Sequence, residues 1–328
     1  MLPWFQDRFP LFLAPMAGVT DTIFRALCKE QGADVMVTEF VSAEGIFRKN
    51  ARTMEYLDFT PAERPLGVQL FGADPEHLGE AARMVRDWVQ PDFLDLNFGC
   101  PVNKVVSRNG GSALLKDHPL MESVARAVVQ AAGSCPVTAK IRIGWSRDDV
   151  NALTTARILE DAGIQALAVH GRTKDMGYSG EADWNVIDQV ARSVRIPVIG
   201  NGDIHNAHDA ARRKRETAVA GLMVGRGAMS APWVFHEIKC YLATGELPPP
   251  PPLAAQWELI RRHCVLAIAA RGAERPALHS LRARLMAYTH GMPHAKILRG
   301  QFANVESLAQ LDDMIAASLA DAANHNEL

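Results

Sequence analysis

The stretch Phe93-Leu94-Asp95-Leu96-Asn97-Phe98-Gly99-Cys100-Pro101 decides how the rest of the chain is interpreted. Its apolar part, 93–98, predicts a buried strand, and Gly-Cys-Pro ends that strand abruptly. Pro101 fixes its own φ and disfavours helical geometry at Cys100, while Gly99 accepts conformations closed to other residues. The sequence therefore predicts a thiol held at a strand end and available for chemistry. The alternative is a cysteine that acts only as a small buried hydrophobe.

Eight short runs of this kind alternate with segments of helical spacing along the chain. The predicted strands are 11–16, 35–40, 66–71, 93–98, 137–143, 166–170, 198–200 and 221–224, and helical spacing is clear at 75–89, 119–132 and 148–162. Eight strands alternating with helices are the pattern of a (β/α)8 TIM barrel, which has about 250 residues. A doubly wound open sheet fits less well, because no G-x-G-x-x-G fingerprint follows the first strand.

The chain of 328 residues divides by composition into three segments. Residues 1–245 are predicted to form the barrel, and 246–252, which include five consecutive prolines, a stiff extended linker. Residues 253–328 are predicted to form a smaller all-helical carboxyl-terminal domain that binds RNA. Its first part, 253–300, holds eight Lys/Arg and two acids, whereas 301–328 holds no Lys/Arg and five acids. This concentration of charge predicts a phosphate-backbone contact surface, with ordinary solvated helix faces as the alternative.

The overall composition excludes few classes of protein. The formal net charge of -2 decides nothing about nucleic-acid binding, because local patches govern it. The five cysteines are odd in number, far apart and without a CxxC pair, which predicts reduced thiols in the cytoplasm rather than disulfides or structural zinc. The sequence shows neither a signal peptide nor an apolar run long enough to span a bilayer. We therefore expect no metal and no membrane association.

The carboxyl ends of the predicted strands carry polar or ionisable groups. In chain order these are Met16, Glu39, Gln69, Asn97 with Cys100, Lys140, His170 with Arg172, Asn201 with Asp203, and Gly225 with Arg226. Barrel active sites are assembled from strand ends at this face, so the series predicts a catalytic barrel. Each member has an alternative. Lys140 could face outward between helices, His170 could be a core histidine, Arg172 could lie on a solvated loop, and Glu39 could cap a neighbouring loop.

The last two strand ends are rich in glycine and predict a phosphate site. Runs 197–204 and 221–228 let backbone N–H groups approach an anion, and Arg226 adds a fork of donors; two ordinary glycine-rich turns are the alternative. With Lys140 and Gln69, this site suits flavin mononucleotide (FMN). Lys140 would balance the N1/C2 edge of the reduced ring, Gln69 would hydrogen-bond its polar edge, and 15–17 would line its flank. A nearby thiol could supply the proton needed when hydride reduces a polarised carbon–carbon double bond.

These residues resemble the signature of the tRNA-dihydrouridine synthases. The resemblance rests on 94–101, followed by Val105 and 111–112 at the family's spacing, and it continues through 14–21, 169–173, 201–204 and 225–227. It covers the barrel almost completely and the carboxyl-terminal part more loosely, and it is greatest to the B-type bacterial branch. It implies a cytoplasmic flavoprotein, expected to be a monomer, that uses NADPH or NADH to reduce a specific uridine in tRNA to 5,6-dihydrouridine.

The resemblance also implies roles for individual residues. Cys100 would be the general acid that protonates C5 of the uracil after hydride reaches C6, and an ordinary thiol pKa suits an acid that must keep its proton until then. FMN would be held by Pro15, Met16, Ala17, Gln69, Lys140, His170, Asn201, Gly202, Asp203, Gly225 and Arg226. The substrate would be bound by Asn97, Arg172, Arg282, Arg284, Lys296 and Arg299. The target base would have to be turned out of its stack to enter a barrel.

Three other functions remain open from the residues alone. A flavin barrel could act on a free pyrimidine, like dihydroorotate or dihydropyrimidine dehydrogenases, but the basic helical segment would then have no role. An aldolase could use Lys140 as a Schiff-base nucleophile without any flavin. A non-catalytic RNA-binding protein would not need Cys100.

Overall fold

The computed structural model describes residues 2–326, without the side chains of residues 52 and 324–326. These residues contain eleven strands and fifteen α-helices, which are connected by loops and short turns. The strands are β1 (Leu11–Leu13), β2 (Met36–Val37), β3 (Val41–Ser42), β4 (Leu66–Phe71), β5 (Phe93–Phe98), β6 (Val137–Arg142), β7 (Gly144–Ser146), β8 (Asp149–Val150), β9 (Leu167–His170), β10 (Val198–Asn201) and β11 (Gly221–Val224). All eight predicted strands are present. Within the predicted second strand, 35–40, only Met36–Val37 form a strand (β2), and β3 follows just beyond the predicted range.

The main sheet is a nearly closed parallel barrel. Its strand order is β1-β11-β10-β9-β6-β5-β4-β2, with β3 also paired to β4. Strands β1 and β11 pair with Leu11 opposite Leu222, and a bridge between Phe12 and Val35 joins β1 to the chain just before β2. Because all these strands are parallel, their carboxyl ends meet at one rim. The TIM-barrel prediction is therefore confirmed.

Helices cover the outside of the barrel and continue beyond it. They are α1 (Thr22–Glu30), α2 (Ala43–Phe47), α3 (Ala51–Glu55), α4 (Pro75–Val89), α5 (Asn103–Val106), α6 (His118–Ala132), α7 (Ala152–Asp161), α8 (Trp184–Ser193), α9 (Ala207–Glu216), α10 (Arg226–Ser230), α11 (Val234–Thr244), α12 (Leu253–Arg271), α13 (Glu274–Tyr288), α14 (Ala295–Phe302) and α15 (Leu308–Asn326). Short 3-10 turns occur at Pro3–Phe5, Pro61–Glu63 and Gly111–Lys116. Helix α4 illustrates the local causes: Asp74 caps it by accepting from His77 N, Pro75 opens it, and Leu78 and Val85 are buried on its inner face.

One predicted helix starts later than expected. The spacing at 148–162 predicts a helix over that whole range, but α7 begins at Ala152. The preceding residues form the antiparallel hairpin β7–β8, in which Ser146 lies opposite Asp149. Helical periodicity cannot reveal this hairpin because its strands are only two or three residues long.

The end of the barrel remote from the rim is closed by the first described residues. Leu2 and Phe5 are buried with Phe12, Phe93 and other inward-facing side chains in a core cluster separate from the larger one between strands and helices. The Phe5 and Phe12 rings lie 6.0 Å apart. The interior is thus filled from below by apolar side chains.

Helices α12 to α15 pack together and against one side of the barrel. Arg262 of α12 forms an ion pair with Glu30 of α1, and Arg284 of α13 forms one with Asp21. Helix α11 ends at Thr244 and α12 begins at Leu253, on either side of the proline-rich segment. The division at 245 and 253 into barrel, linker and RNA-binding domain stays a prediction. No helix among the described residues has the length and apolar character needed to cross a membrane.

Candidate active site

A cavity of about 460 Å³ opens at the carboxyl ends of the barrel strands. Its volume lies within the range of roughly 300–1,000 Å³ that is typical of small-molecule sites. Most of the predicted site residues line it: Pro15, Met16, Ala17, Asn97, Cys100, Lys140, His170, Asn201, Gly202, Asp203, Gly225 and Arg226. The thiol of Cys100 and the amine of Lys140 therefore belong to residues of one cavity.

The turn that carries Cys100 is fixed by hydrogen bonds on both sides. Asn97 Oδ1 accepts from the N–H groups of Gly99 and Cys100, at 3.1 and 2.8 Å. The Cys100 carbonyl accepts from Ser112 N at 3.1 Å and from Ser112 Oγ at 2.9 Å. Gly111 has φ +58°, and a Cβ there would lie 2.9 Å from the Cys100 carbonyl oxygen. Only glycine allows this close approach, so the sequence itself fixes the position of the sulfur.

A buried chain of hydrogen bonds supports this turn from below. Thr138 Oγ1 and Gln69 Nε2 each donate to the Asp95 carboxylate at 2.6 Å, and Asn97 Nδ2 donates to Gln69 Oε1 at 2.7 Å. The carboxylate only accepts when ionised, so it determines which way the two amides are turned. Asn97 is thereby oriented with its oxygen toward the backbone of Cys100.

The thiol of Cys100 is buried, with 6% of its surface exposed. Burial raises its pKa above the ordinary value, although the Val102 backbone, Arg142 and Lys140 act in the opposite direction. The sulfur therefore carries a proton at neutral pH. A protonated thiol is suited to donate a proton rather than to attack as a thiolate.

Lys140 lies between Asn97 of β5 and Ala168 of β9 in the sheet. Burial, and then the nearby Arg142 cation, lower its pKa to about 8. Lys140 lines the cavity. Within the described part of the chain its amine has neither a hydrogen bond nor an ion pair. An unpaired cation in a partly apolar cavity indicates an electron-rich ligand group as its partner.

His170 is the last residue of β9 and Arg172 lies just after it, but the two side chains have different surroundings. Burial, with the cations Lys140 and Arg142 nearby, lowers the pKa of His170 well below its usual value, so the imidazole is neutral. Arg172 is 2% exposed and donates to both Asp203 carboxylate oxygens at 2.8 Å and to the Gly180 carbonyl at 2.6 Å. Arg172 does not line the cavity. Its donors are engaged within the protein, and a contact of Arg172 with substrate stays a prediction.

The predicted phosphate cradle is formed by the ends of β10 and β11. Gly202 has φ +137°, and a Cβ there would lie 2.5 Å from the Ala182 side chain. Burial raises the pKa of Asp203, but hydrogen bonds from Ala182 N and Arg172 outweigh it and keep this carboxyl ionised. Arg226 Nη2 donates to Asp203 at 3.0 Å and is 44% exposed. Asp203 thus orients Arg226, whose remaining donors stay available to an anion.

Gln69 is placed differently from the expectation. It is fully buried, it does not line the cavity, and its amide is engaged with Asp95 and Asn97. Gln69 therefore supports the Cys100 turn through its hydrogen bond with Asn97.

Arg142 and Tyr178 line the cavity but escaped the sequence analysis. Arg142 donates to the carbonyls of Gly99, Thr173 and Gly177 at 2.8–2.9 Å, and its guanidinium carbon lies 5.7 Å from the Tyr178 ring centroid. The alternation of strand side chains was the available signal for Arg142, because it lies two residues after Lys140 on the same strand. Tyr178, on an irregular loop, carried no such signal.

The basic residues of the helical segment fall into two groups. Four are paired with acids: Arg261 with Asp312, Arg262 with Glu30, Arg275 with Glu306, and Arg284 with Asp21. Arg284 is buried and also donates to the Gly18 and Val19 carbonyls at 3.2 and 3.1 Å, and its contact with substrate stays a prediction. Arg282 is partly buried, whereas Arg271, Lys296 and Arg299 are exposed. These four have no ion pair among the described residues.

Three observations indicate that the cavity is suited to bind FMN. Lys140 supplies an unpaired cation, the glycine turns with Arg226 supply an anion site, and the volume admits a ligand of this class. No group of His, Cys, Asp and Glu side chains in the described residues is arranged to hold a metal ion.

Comparisons with known proteins place the chain among its relatives. The sequence profile of the family described as "Dihydrouridine synthase" matches residues 12–324. Two relatives are named tRNA-dihydrouridine synthase B. That of Xanthomonas axonopodis pv. citri is 45% identical over 244 residues, which is 74% of this chain and 73% of the relative. That of Pseudomonas aeruginosa is 40% identical over 292 residues, which is 89% of this chain and 87% of the relative.

A solved structure supports the fold alone. It is that of 6-hydroxypseudooxynicotine amine oxidase from Pseudomonas geniculata, with a TM-score of 0.53 and 15% identity over 76% of this chain and 50% of that one. The profile match extends over both the barrel and the helical segment. The chain belongs to the dihydrouridine synthase family.

Proposed function

We propose that this protein reduces a specific uridine in tRNA to 5,6-dihydrouridine, with FMN as its cofactor and NADPH, or NADH, as the reductant. The observation that carries the proposal is the single cavity lined by a protonated, buried thiol at Cys100 and an unpaired amine at Lys140. Membership of the family and the names of the relatives support the reaction. The proposal includes a monomeric enzyme of the cytoplasm that needs no metal.

Bound FMN supplies the hydride that C6 of the uracil receives. Cys100 Sγ holds the proton that C5 needs, and its raised pKa keeps that proton in place until C5 becomes basic. Asn97 fixes the Cys100 turn through its oxygen. Its Nδ2 has a second hydrogen beyond the one given to Gln69, and this hydrogen is available to a uracil carbonyl.

The remaining cavity residues hold the cofactor. Lys140 would bind the electron-rich edge of the ring, and Pro15, Met16 and Ala17 would lie against its flank. The neutral His170, Asn201, the glycine turns and Arg226 bind the ribityl phosphate end. Arg172 and Gln69 act through other residues, because Arg172 orients Asp203 and Gln69 orients Asn97.

The helical segment offers Arg282, Lys296 and Arg299 to the RNA backbone. Such contacts release counterions, so tRNA binding weakens as salt rises. The uridine must leave its stack to reach Cys100, because the sulfur lies within the barrel mouth. A flavin enzyme for a free pyrimidine would give these cations no role.

The test compares the unmodified protein with Cys100→Ala in cells that lack the endogenous protein. The purified parent should show a flavin absorption spectrum and restore dihydrouridine at one tRNA position. Cys100→Ala should keep the flavin and lose about 10²- to 10⁴-fold in turnover, because a general acid contributes that much. Full turnover by Cys100→Ala, or a colourless parent protein, would contradict the proposal. An aldolase predicts the colourless result.

A further inference from the structure

A second cavity, of about 1310 Å³, adjoins the active-site cavity. It is formed by the loops that follow β3, β4 and β5, and three residues, Ala17, Phe40 and Val102, line both cavities. Val102 is two residues from Cys100 in the chain. The two cavities therefore meet at Phe40 and Val102, next to the turn that carries Cys100.

Two unpaired cations line this second cavity. Lys104 on α5 and Arg108 just after it are both exposed, and neither has a hydrogen bond or ion pair within the described residues. The acids of the same cavity are already engaged. Glu44 is paired with Arg48 and His77, and Asp74 caps α4 through His77 N. The charge left for a ligand is positive, which favours a ligand that carries phosphate groups.

The helical segment lies on a different arc of the barrel rim. It contacts the loop after β1 through Arg284, helix α1 through Arg262, and α10 through α13. In the ring of strands β1 lies between β11 and β2, and the second cavity, above β3, β4 and β5, includes Ala17 of the β1 loop. An RNA held by the helical segment is therefore expected to approach the mouth from the β1–β11 side, and the loop after β5, with Lys104 and Arg108, stays open to a smaller ligand.

We propose that the second cavity binds the nicotinamide adenine dinucleotide reductant, with Lys104 and Arg108 on its phosphate groups. This inference rests on the proposed function, which requires such a reductant. The nicotinamide ring would extend past Phe40 and Val102 toward the active-site cavity. There it loses a hydride to the flavin and leaves as the oxidised dinucleotide, while solvent supplies the second proton of the reduced flavin.

The test uses the flavin-loaded full chain with a Lys104→Ala/Arg108→Ala double substitution and titrates it with NADP⁺ by calorimetry. The oxidised dinucleotide binds without turnover, so affinity is read directly. We expect binding to weaken at least about tenfold, since two phosphate contacts are lost. An NAD⁺ titration identifies the phosphate: equal weakening assigns the cations to the diphosphate, and weakening confined to NADP⁺ assigns them to the 2′-phosphate.

The matched control is Arg212→Ala/Arg215→Ala on α9, which removes two exposed cations outside both cavities. It should bind NADP⁺ like the parent. When the protein is mixed with NADPH in the absence of oxygen, the loss of flavin absorbance gives the rate of flavin reduction. The NADPH concentration that gives half the maximal rate should be at least about tenfold higher for the Lys104/Arg108 variant than for the parent. Reoxidation of the chemically reduced variant by tRNA should be unchanged.

Unchanged NADP⁺ affinity in the double variant overturns the inference. So does a defect confined to reoxidation by tRNA, which would assign the cavity to RNA. Failure of the proposed function has a different signature: the unmodified protein would then hold no flavin or form no dihydrouridine. An unchanged flavin spectrum and unfolding temperature in the variant confirm that it has folded.

Discussion

The surroundings of the Lys140 side chain favour the binding of a negatively charged ligand group. Strands β5 and β9 hold its backbone on both sides, and its amine has no acceptor in the described part of the chain. Its pKa of about 8 reflects burial and the neighbouring Arg142. A ligand that brings negative charge to this amine restores the charged form and raises the pKa again, so ligand binding and protonation are linked.

We expect the affinity of the flavin-free protein for FMN to fall with rising pH. Below about pH 8 Lys140 is charged before FMN arrives, whereas above it binding must also take up a proton. Fluorescence titrations should show about tenfold weaker binding at pH 9.5 than at pH 7. Lys140→Met should bind more weakly and without this pH dependence. An identical profile for both proteins would contradict the role of Lys140.

Gly111 is the second position where a single residue determines the site. Gly111→Ala should displace the Cys100 carbonyl, because the new Cβ would lie 2.9 Å from it. Turnover should fall at least on the order of tenfold with flavin content unchanged, since small misplacements of reacting groups are costly. Gly245→Ala is the matched control: it has φ +79° but no atom within 4 Å of the added Cβ. Equal losses in kcat would mean that backbone strain, not the Cys100 contact, matters.

At the scale of elements, three adjacent strands share one buried polar network. Thr138 of β6, Asp95 of β5 and Gln69 of β4 meet in the barrel interior, and the network ends at Asn97 beneath the Cys100 turn. Register makes this possible, because Gln69 pairs with Asp95 and Asp95 with Thr138 across the sheet. The position of a loop sulfur is thus set by strand pairing.

Replacing Asp95 tests this network. Asp95→Ala leaves the Gln69 amide free to turn, which loosens Asn97 and the Cys100 turn, and kcat should fall about tenfold while KM for tRNA changes little. Asp95→Asn should recover most of the turnover, because its oxygen can still accept from Gln69. Steady-state kinetics with flavin content as a control measure the effect. A loss of flavin without a separate loss of kcat would assign Asp95 to the cofactor instead.

The sequence predicted the strands and helices better than the contacts between side chains. The eight strands and helix α4 follow from apolar runs and capping residues, which act locally. The roles of Gln69 and Arg284 could not be predicted in the same way. The polar side chain of Gln69 is visible in the sequence, but its contact with Asp95 follows only from the register between β4 and β5. The charge of Arg284 is visible in the sequence, whereas its acid, Asp21, lies 263 positions away.

At the scale of the whole molecule, the helical segment reaches the wall of the active site. The loop after β1 contributes Met16 and Ala17 to the cavity, and Gly18 is held from two sides. Glu39 accepts from its N–H at 2.7 Å, and Arg284 donates to its carbonyl at 3.2 Å. The helical segment therefore supports the cofactor wall as well as offering cations to RNA.

We expect Arg284→Met to weaken FMN binding about tenfold, because three acceptors on the loop lose a charged donor. Arg261→Met is the control, since Arg261 makes an exposed ion pair with Asp312 within the helical segment. Flavin fluorescence gives the affinity, and thermal unfolding shows whether both variants fold. Equal FMN affinity in both variants and the parent would show that the contact does not reach the cofactor.

The closure of the barrel by Leu2 and Phe5 has a consequence for the stability of the protein. Leu2 is 3% exposed and packs beneath the barrel with Phe12 and Phe93, so removal of residues 2–5 would open this apolar floor to water. The same floor lies under the strands that carry Asp95 and Lys140. A chain shortened in this way should unfold at a lower temperature, because apolar surface that is now buried would face solvent.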